Sequence, residues 1–335
     1  MLSPMFTSIA NTFVIDVAAV AFIALLVDGI VGDMAWLFSK IGHPIALLGR
    51  VIGFLERRLN REGSSERARF LSGLVVTLFV VFLTTYIGWY LSELARAVKL
   101  GWIVEVVVVT ILLAQRSLYE HVLSVARALG RGDIADGRVA VQHIVGRDTN
   151  ELDKNGIARA AIESLAENFA DGVVAPIFWY LVVGLPGVFA YKAINTLDSM
   201  IGYRSLEFAS FGLVAARLDD VANWIPSRLA ALILVVSAVF PYTADPSRAA
   251  GIMWRDSSKH PSPNAGWPEG AMAGALNLSL GGPRQYPGGV SEADWIGDGT
   301  HLASFKDIHR ALLLFIVACL LNGLVVFSFA VLPIT

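Results

Sequence analysis

The amino-acid sequence predicts an all-α fold: a polytopic transmembrane helical bundle of about five or six spans, with amphipathic or re-entrant helices between them. Composition supports this class. Hydrophobic residues make up 55% of the 335 residues and charged residues only 16%, whereas a soluble domain carries about 25% charged residues. The mean hydropathy is +0.62. Several apolar runs also approach the roughly 20 residues that a helix needs to cross a bilayer.

Five apolar runs are good candidates for spans: 13–31, 70–91, 172–193, 224–240 and 311–332. A shorter run, 102–114, contains Glu105 and would be a sixth. A signal peptide is the alternative for the first run. However, no Lys or Arg precedes Lys40, so the basic segment of a signal peptide is missing. We therefore expect the first run to be a retained span.

The distribution of charge predicts the topology. The loop 56–70 contains five arginines, and short loops rich in Lys and Arg remain in the cytoplasm. Alternating spans then place two long polar segments on the same side, a helical one at 115–171 that is divided at 130–133, and a turn-rich one at 242–310. We expect residues 1–335 to form a single membrane-embedded domain in the cell inner membrane, with its active site facing the cytoplasm.

The segment 192–223 conflicts with simple alternation, because it would lie outside although it is rich in charged and amide side chains. The preceding run contains the helix breakers Pro176, Gly184, Pro186 and Gly187. Broken backbone at membrane depth is tolerated only where it lines a cavity or packs against protein. We therefore expect a re-entrant or discontinuous helix that keeps these polar groups open to the cytoplasm.

The first polar cluster lies within 146–171. Arg159, Glu163 and Glu167 are spaced by four and share one helical face, and Asn168 and Asp171 extend this polar edge toward the membrane. A solvated amphipathic helix with an Arg–Glu pair is the structural explanation. The functional explanation is a carboxylate cluster that binds Mg²⁺ together with substrate phosphates. The Asn–Asp pair at the span boundary favours the functional one.

A second cluster follows the broken run. Lys192, Asn195 and Asp198 recur every three residues, directly after an apolar stretch. Ionisable groups near membrane depth are costly and usually serve a function. The alternative is that Lys192 and Asp198 only neutralise each other.

A third cluster, in the sequence RLDDVAN, places Asp219, Asp220 and Asn223 around one helical turn. Two neighbouring carboxylates repel each other unless a cation lies between them or one is protonated. Bound Mg²⁺ satisfies this requirement. The structural alternative is an ion pair between Arg217 and one of the two aspartates.

The loop 260–270, HPSPNAGWPEG, contains three prolines and two glycines and is predicted to be rigid. His260 and Asn264 are candidate polar contacts, and backbone N–H groups at 264–266 offer an anion site. A single loop histidine is more often structural than catalytic.

Several classes of protein are excluded. The net charge of −2 argues against a nucleic-acid partner. One cysteine, Cys319, rules out a disulfide framework and a cysteine metal cluster. The chain also lacks the P-loop, dinucleotide-binding and zinc-protease signatures. A nucleotide site would therefore have to be built without a P-loop.

These segments resemble the adenosylcobinamide-phosphate synthase family (CobD/CbiB) of cobalamin biosynthesis. The main matching stretches are GRDTNELDKNGIARAAIESLAENFADGVVAP (146–176), GLPGVFAYKAINTLDSMIGYR (184–204), FGLVAARLDDVANWIPSRL (211–229) and SPNAGWPEGAMAGAL (262–276). Shorter stretches are HPIALLGRVIGFLERRL (43–59), GGPRQYPGG (281–289) and WIGDG (295–299). The resemblance covers nearly the whole chain, which makes it far more specific than any short motif.

The resemblance implies an ATP-dependent amide ligase that uses Mg²⁺. Such an enzyme joins the free propionate carboxylate of adenosylcobyric acid to aminopropanol, or to aminopropanol phosphate, and forms adenosylcobinamide or its phosphate. Because a carboxylate has a poor leaving group, we expect MgATP to convert it to an acyl phosphate, which the amine then attacks. Membrane lipid is a further expected partner. A homo-oligomer and a complex with other cobalamin-pathway proteins are both compatible with the sequence.

Each candidate residue receives an expected role. The catalytic candidates are Glu163, Glu167, Asp198 and His260, with Asp198 or His260 as the base for the amine. The candidates for binding substrate or nucleotide are Arg159, Asn168, Lys192, Asn195, Arg204, Arg217, Asn223 and Asn264. The candidates for binding the metal are Asp171, Asp219 and Asp220.

Two other functions compete with this assignment. A non-catalytic membrane regulator or sensor, related to the β-lactamase-regulatory branch of similar membrane proteins, would not need the dense polar clusters. A Mg²⁺-dependent membrane transferase would repeat its aspartates at longer spacing on two helices and would give the loop 260–270 no role. The clusters therefore favour the ligase.

Overall fold

The computed structural model describes residues 16–32, 42–61, 63–146, 148–202, 208–286, 289–291 and 293–331, and most of them are helical. The first helices are α1 (Val17–Val31), α2 (Pro44–Leu59), α3 (Glu66–Arg96), α4 (Gly101–Leu112), α5 (Gln115–Gly130), α6 (Ile134–Gln142) and α7 (Lys154–Phe169). A π-helical turn, Ala170–Val174, then leads to α8 (Ala175–Val183), α9 (Leu185–Ile201), α10 (Leu213–Ala222), α11 (Trp224–Ser237), α12 (Pro246–Asp256), α13 (Gly266–Leu276) and α14 (Phe305–Val331).

Three helical stretches in the described part of the chain are long and apolar enough to cross a membrane: α3, α4 together with α5, and α14. Helices α10 and α11 meet at a bend of 47° and add a fourth if they act as one span. Helix α1 is apolar but has 15 residues. The structure therefore supports a largely helical membrane protein, but it does not confirm the expected count of about five or six spans.

The segment 115–171 was expected to lie outside the spans. In the structure its first helix is part of a candidate span. Helices α4 and α5 together form one candidate span that ends at Gly130, and the apolar residues Leu118, Val122 and Val125 of α5 are buried. The break expected at 130–133 is confirmed. Helix α6 starts after it, and the side chain of Asp133 accepts a hydrogen bond from the Asp136 backbone N–H at 2.9 Å.

The helix break expected within the run 172–193 is also present. Helices α8 and α9 are separated at Gly184, whose φ of +74° is readily adopted only by glycine. Pro186 lies in the first turn of α9, where its missing N–H costs no helical hydrogen bond. This run is therefore two short helices, and α9 carries the polar residues of the second cluster back into the protein.

The described structure is consistent with the expected all-α fold, and short strand pairings between α13 and α14 are an addition to it. Strand β1 (Leu280–Gly281) pairs antiparallel with β4 (Trp295–Ile296), and β2 (Arg284–Tyr286) pairs antiparallel with β3 (Gly289–Ser291). Glycines at 281, 282, 288, 289 and 297 interrupt helical periodicity here, so the chain satisfies its backbone hydrogen bonds by short pairings instead.

A buried carboxylate connects α1 to the junction between α4 and α5. Asp28, which is 1% exposed, accepts hydrogen bonds from the Gln115 backbone N–H at 2.8 Å and from Gln115 Nε2 at 3.3 Å. The Ala114 N–H in turn donates to the Gly172 carbonyl oxygen at 3.1 Å. This chain of contacts fixes the start of α5 against the π-helical turn.

Helix α3 approaches the start of α10 through a glycine, which yields a first prediction. A Cβ atom on Gly73 would overlap the backbone carbonyl oxygen of Phe211. We expect Gly73→Ala to push the two elements apart and to lower the thermal unfolding midpoint in detergent, because overpacking typically costs about 1–3 kcal/mol.

Gly251→Ala is the matched control for this prediction. A Cβ atom on Gly251, which lies within α12, meets nothing within 4 Å. Alanine there should leave the midpoint unchanged or raise it, because alanine favours helix over glycine by up to about 1 kcal/mol. Equal midpoints for the two variants would contradict the close approach of α3 to residue 211.

Candidate active site

A cavity of about 630 Å³ lies among α5, the end of α6, the junction of α7 with the π-helical turn, and α9. Its polar lining residues are Ser117, His121, His143, Glu167, Asn168, Asp171, Asn195, Asp198 and Ser199. Two of the three clusters found in the sequence therefore meet in one cavity, although about 30 residues of chain separate Glu167 from Asp198. The broken helix is what allows α9 to bring its polar residues there.

The π-helical turn sets the position of Asp171. Single π-turns within α-helices occur mostly at functional sites, because the extra residue redirects the side chains. Asp171 Oδ2 accepts a hydrogen bond from Asn195 Nδ2 at 3.4 Å. The Tyr191 hydroxyl lies 3.0 Å from the backbone oxygen of Asp171 and 3.0 Å from Asn223 Oδ1. Asp171 is thereby fixed between α9 and the end of α10.

Asp219 lies next to this group, behind the cavity wall. Its Oδ2 accepts a hydrogen bond from Asn223 Nδ2 at 3.0 Å. Its Oδ1 is buried and has no hydrogen-bond partner among the residues that the structure describes. A buried carboxylate oxygen without a partner is costly, and a bound cation would satisfy it.

The carboxylates of the cavity are held close together in a buried setting. Burial, followed by the charges of Asp219 and Glu167, holds the pKa of Asp171 well above its usual value, and Lys192 opposes this shift. Burial and the charge of Asp220 raise the pKa of Asp198 to about 6. When ionised, these carboxylates repel one another at close range, which the raised pKa values of Asp171 and Asp198 reflect, and a divalent cation would relieve that repulsion.

The donor groups fit a magnesium ion that arrives with a nucleotide. No group of three carboxylate, imidazole or thiolate side chains in the described part of the chain is arranged to hold a metal alone. Mg²⁺ does not require one, because it usually binds one or two carboxylates and completes its shell with phosphate oxygens and water. Asp171 and Asp219, with its buried partnerless oxygen, can supply those two carboxylates.

Asp220 does not line the cavity and pairs with an arginine instead. Its Oδ2 lies 3.3 Å from Arg217 Nη1, and the side chain of Arg217 is 68% exposed. The ion pair that the sequence left open as an alternative is therefore present, and it uses Asp220 instead of Asp219. Adjacent helical residues point about 100° apart, so the two aspartates have different partners.

The structure does not bring Arg159 and Glu163 to the cavity, although they share a helical face with Glu167. The Glu163 carboxylate accepts a hydrogen bond from the Gly281 N–H at 2.8 Å. Arg159 donates to the His301 carbonyl oxygen at 2.5 Å. Both residues thus attach the segment with the short strands to α7.

The loop 260–270 also lies outside the cavity lining. Asn264 Nδ2 donates to the Asp220 carbonyl oxygen at 2.9 Å, and Asn264 Oδ1 accepts from Arg228 at 3.2 Å. His260 Nε2 lies 3.6 Å from Glu269 Oε1. The loop fixes the bend between α10 and α11, so its contribution to the site is indirect. Arg204 lies outside the described residues.

Two histidines of the cavity, His121 and His143, were not found by sequence reasoning. Their ring centroids lie 6.4 Å apart. They precede the carboxylate clusters along the chain, so no short motif includes both kinds of group. Their position was a signal that could have been used. The chain has six histidines, and these two lie in the helical segment next to the first cluster.

Comparison with known proteins identifies the family. The family described as CobD/Cbib protein matches residues 21–315. A cobalamin biosynthesis protein CobD from Sinorhizobium sp. is 46% identical over 300 residues, which cover 89% of this chain and 93% of that protein. The protein of that name from Brucella suis is 47% identical and covers 91% of this chain and 94% of its own length. No solved structure matches. This chain therefore belongs to the CobD/CbiB family.

Proposed function

We propose that this chain acts in cobalamin biosynthesis as an ATP- and Mg²⁺-dependent acid–amine ligase. It joins adenosylcobyric acid to aminopropanol or aminopropanol phosphate at the cytoplasmic face of the cell inner membrane. Family membership and the names of the relatives support the pathway. The observation that carries the chemistry is the polar cavity, in which carboxylates, amides and imidazoles from four elements converge beside apolar spans.

Residues that line the cavity, together with Asp219 and Lys192 next to it, supply what acyl activation requires. Asp171 and Asp219 would hold Mg²⁺, which, when bound, neutralises the negative charge of the ATP phosphates. Lys192 is 9% exposed and adds a buried positive charge close to Asp171. Asn168 and Asn195 line the cavity with amide groups that can orient a carboxylate or a phosphate. Catalysis then consists of positioning and charge neutralisation.

The size of the cavity indicates how the corrinoid binds. A volume of about 630 Å³ is typical of a site for one drug-sized ligand, whereas a corrin ring with its nucleoside ligand is larger. The propionate arm therefore enters the cavity and the macrocycle stays at its mouth. The nucleotide phosphates meet the propionate inside, next to the carboxylate cluster.

Purified protein in detergent tests this proposal. With ATP, Mg²⁺, adenosylcobyric acid and either amine, we expect ADP and a corrinoid amide in equal amounts. Carboxylate labelled with ¹⁸O should transfer one label to the released phosphate, because the acyl phosphate forms through that oxygen. A non-catalytic regulator would give no turnover, and complementation of a strain that cannot complete cobinamide would fail.

A further inference from the structure

We infer that His121 is the base that removes a proton from the amine substrate, an inference that rests on the proposed ligase function. Sequence reasoning assigned this role to Asp198 or His260. His260 lies outside the cavity lining, whereas His121 lines the cavity together with Glu167 and Asp171. The residue is exposed to solvent at this surface, so an amine can reach it.

Hydrogen bonding defines which nitrogen of His121 can act as the base. His121 Nδ1 lies 2.7 Å from the carbonyl oxygen of Ser117, one turn earlier in α5. Because a carbonyl oxygen can only accept, Nδ1 must carry the proton. In the neutral ring the lone pair is then on Nε2, on the side of the ring away from that carbonyl. The helix backbone thus holds the imidazole in the tautomer that accepts a proton at Nε2.

Other titratable groups in the cavity are less suited to this role. They are His143, Glu167, Asp171 and Asp198. A cation bound among the carboxylates lowers their basicity at the moment when the acyl phosphate is present. His143 has no hydrogen bond in the described structure that fixes its tautomer. His121 lines the cavity from α5.

The amine nitrogen loses two protons as the amide forms. An alkylammonium nitrogen has no lone pair, so it cannot attack until it loses a proton to His121 Nε2. The free amine then forms the C–N bond at the acyl carbon. The bond from that carbon to the phosphate oxygen breaks, and phosphate leaves with the electron pair. The second proton of the nitrogen leaves with phosphate, and His121 returns its proton to water.

Hydroxylamine provides a test, because it is largely unprotonated at neutral pH and attacks an acyl phosphate without a base. In His121→Gln, we expect ATP-dependent hydroxamate formation from adenosylcobyric acid at nearly the wild-type rate. Amide formation with aminopropanol should fall about 100-fold in kcat. It should recover as pH rises, because the free amine becomes more abundant.

His309→Gln is the matched control. His309 Nδ1 lies 3.0 Å from the carbonyl oxygen of Phe305, also one turn earlier, but His309 does not line the cavity. We expect both of its activities to remain unchanged. Equal losses of hydroxamate and amide in His121→Gln, or no loss of either, would overturn the assignment. If wild-type protein forms no ATP-dependent hydroxamate, the ligase function itself fails and this inference fails with it.

Discussion

Asp219→Asn is expected to lower kcat/KM about 100- to 1000-fold, because it removes one of the two carboxylates that we assign to Mg²⁺. Asp219 Oδ1 is buried and has no hydrogen-bond partner in the described structure, whereas Oδ2 accepts a hydrogen bond from Asn223 Nδ2. The variant should unfold at or above the wild-type temperature at pH 8, because burial and the charge of Asp198 raise the pKa of Asp219 to about 7 and make its ionised form costly. Steady-state rates over a series of Mg²⁺ concentrations measure the first effect, and thermal unfolding without Mg²⁺ measures the second.

Asp220→Asn is the control for this experiment. Asp220 is the neighbouring carboxylate, but its side chain pairs with exposed Arg217, and exposed ion pairs contribute about 0–1 kcal/mol. We expect a much smaller loss of activity than in Asp219→Asn. Full activity of Asp219→Asn at saturating Mg²⁺ would rule out Asp219 as a metal ligand.

Asp198→Asn is expected to raise stability at pH 8 in the absence of Mg²⁺. In the folded protein, burial and the charge of Asp220 raise the pKa of Asp198 from 3.8 to about 6. A carboxyl group whose folded-state pKa is raised destabilises the fold when it is ionised. The penalty is absent below pH 3.8, grows between pH 3.8 and 6, and is complete above pH 6. It amounts to up to about 3 kcal/mol.

The measurement is the thermal unfolding midpoint of wild type and Asp198→Asn at pH 8 and at pH 4, at one scan rate in detergent. The gain from the substitution should be large at pH 8 and nearly absent at pH 4. Asp294→Asn is the control, because Asp294 is exposed and lies outside the cavity lining, and its effect should be small at both values. A gain that is independent of pH would show that Asp198 is not buried as an ionisable group.

The apolar helices were largely predictable from the sequence. The run 70–91 lies within α3, and residues 311–331 of the last run lie within α14, because a long apolar stretch has few stable alternatives in a membrane. The break at Gly184 was predictable as well, since its glycine and the following proline act on the local backbone. The β-pairings at 280–296 were not predicted, because their hydrogen bonds join residues that no local periodicity connects.

The residues of the site were also predictable only in part. Their chemical types and helical spacing can be read from the sequence, which shows that Glu163 and Glu167 share a face. Periodicity gives the direction of a side chain relative to its helix, but not what lies opposite. Glu163 meets the Gly281 N–H, 118 residues away along the chain, whereas Glu167 meets the cavity.

By itself, the sequence determined the membrane character of this protein, its family and the polar clusters from which a site can form. Only the tertiary structure decided which members of those clusters meet. It placed Asp219 close to Asp171 and paired Asp220 with Arg217, and it added His121 from a helix that no motif had marked. The physical reason is that residue spacing determines only which side chains share a face within one helix. A cavity, in contrast, is formed by contacts between helices that are distant along the chain.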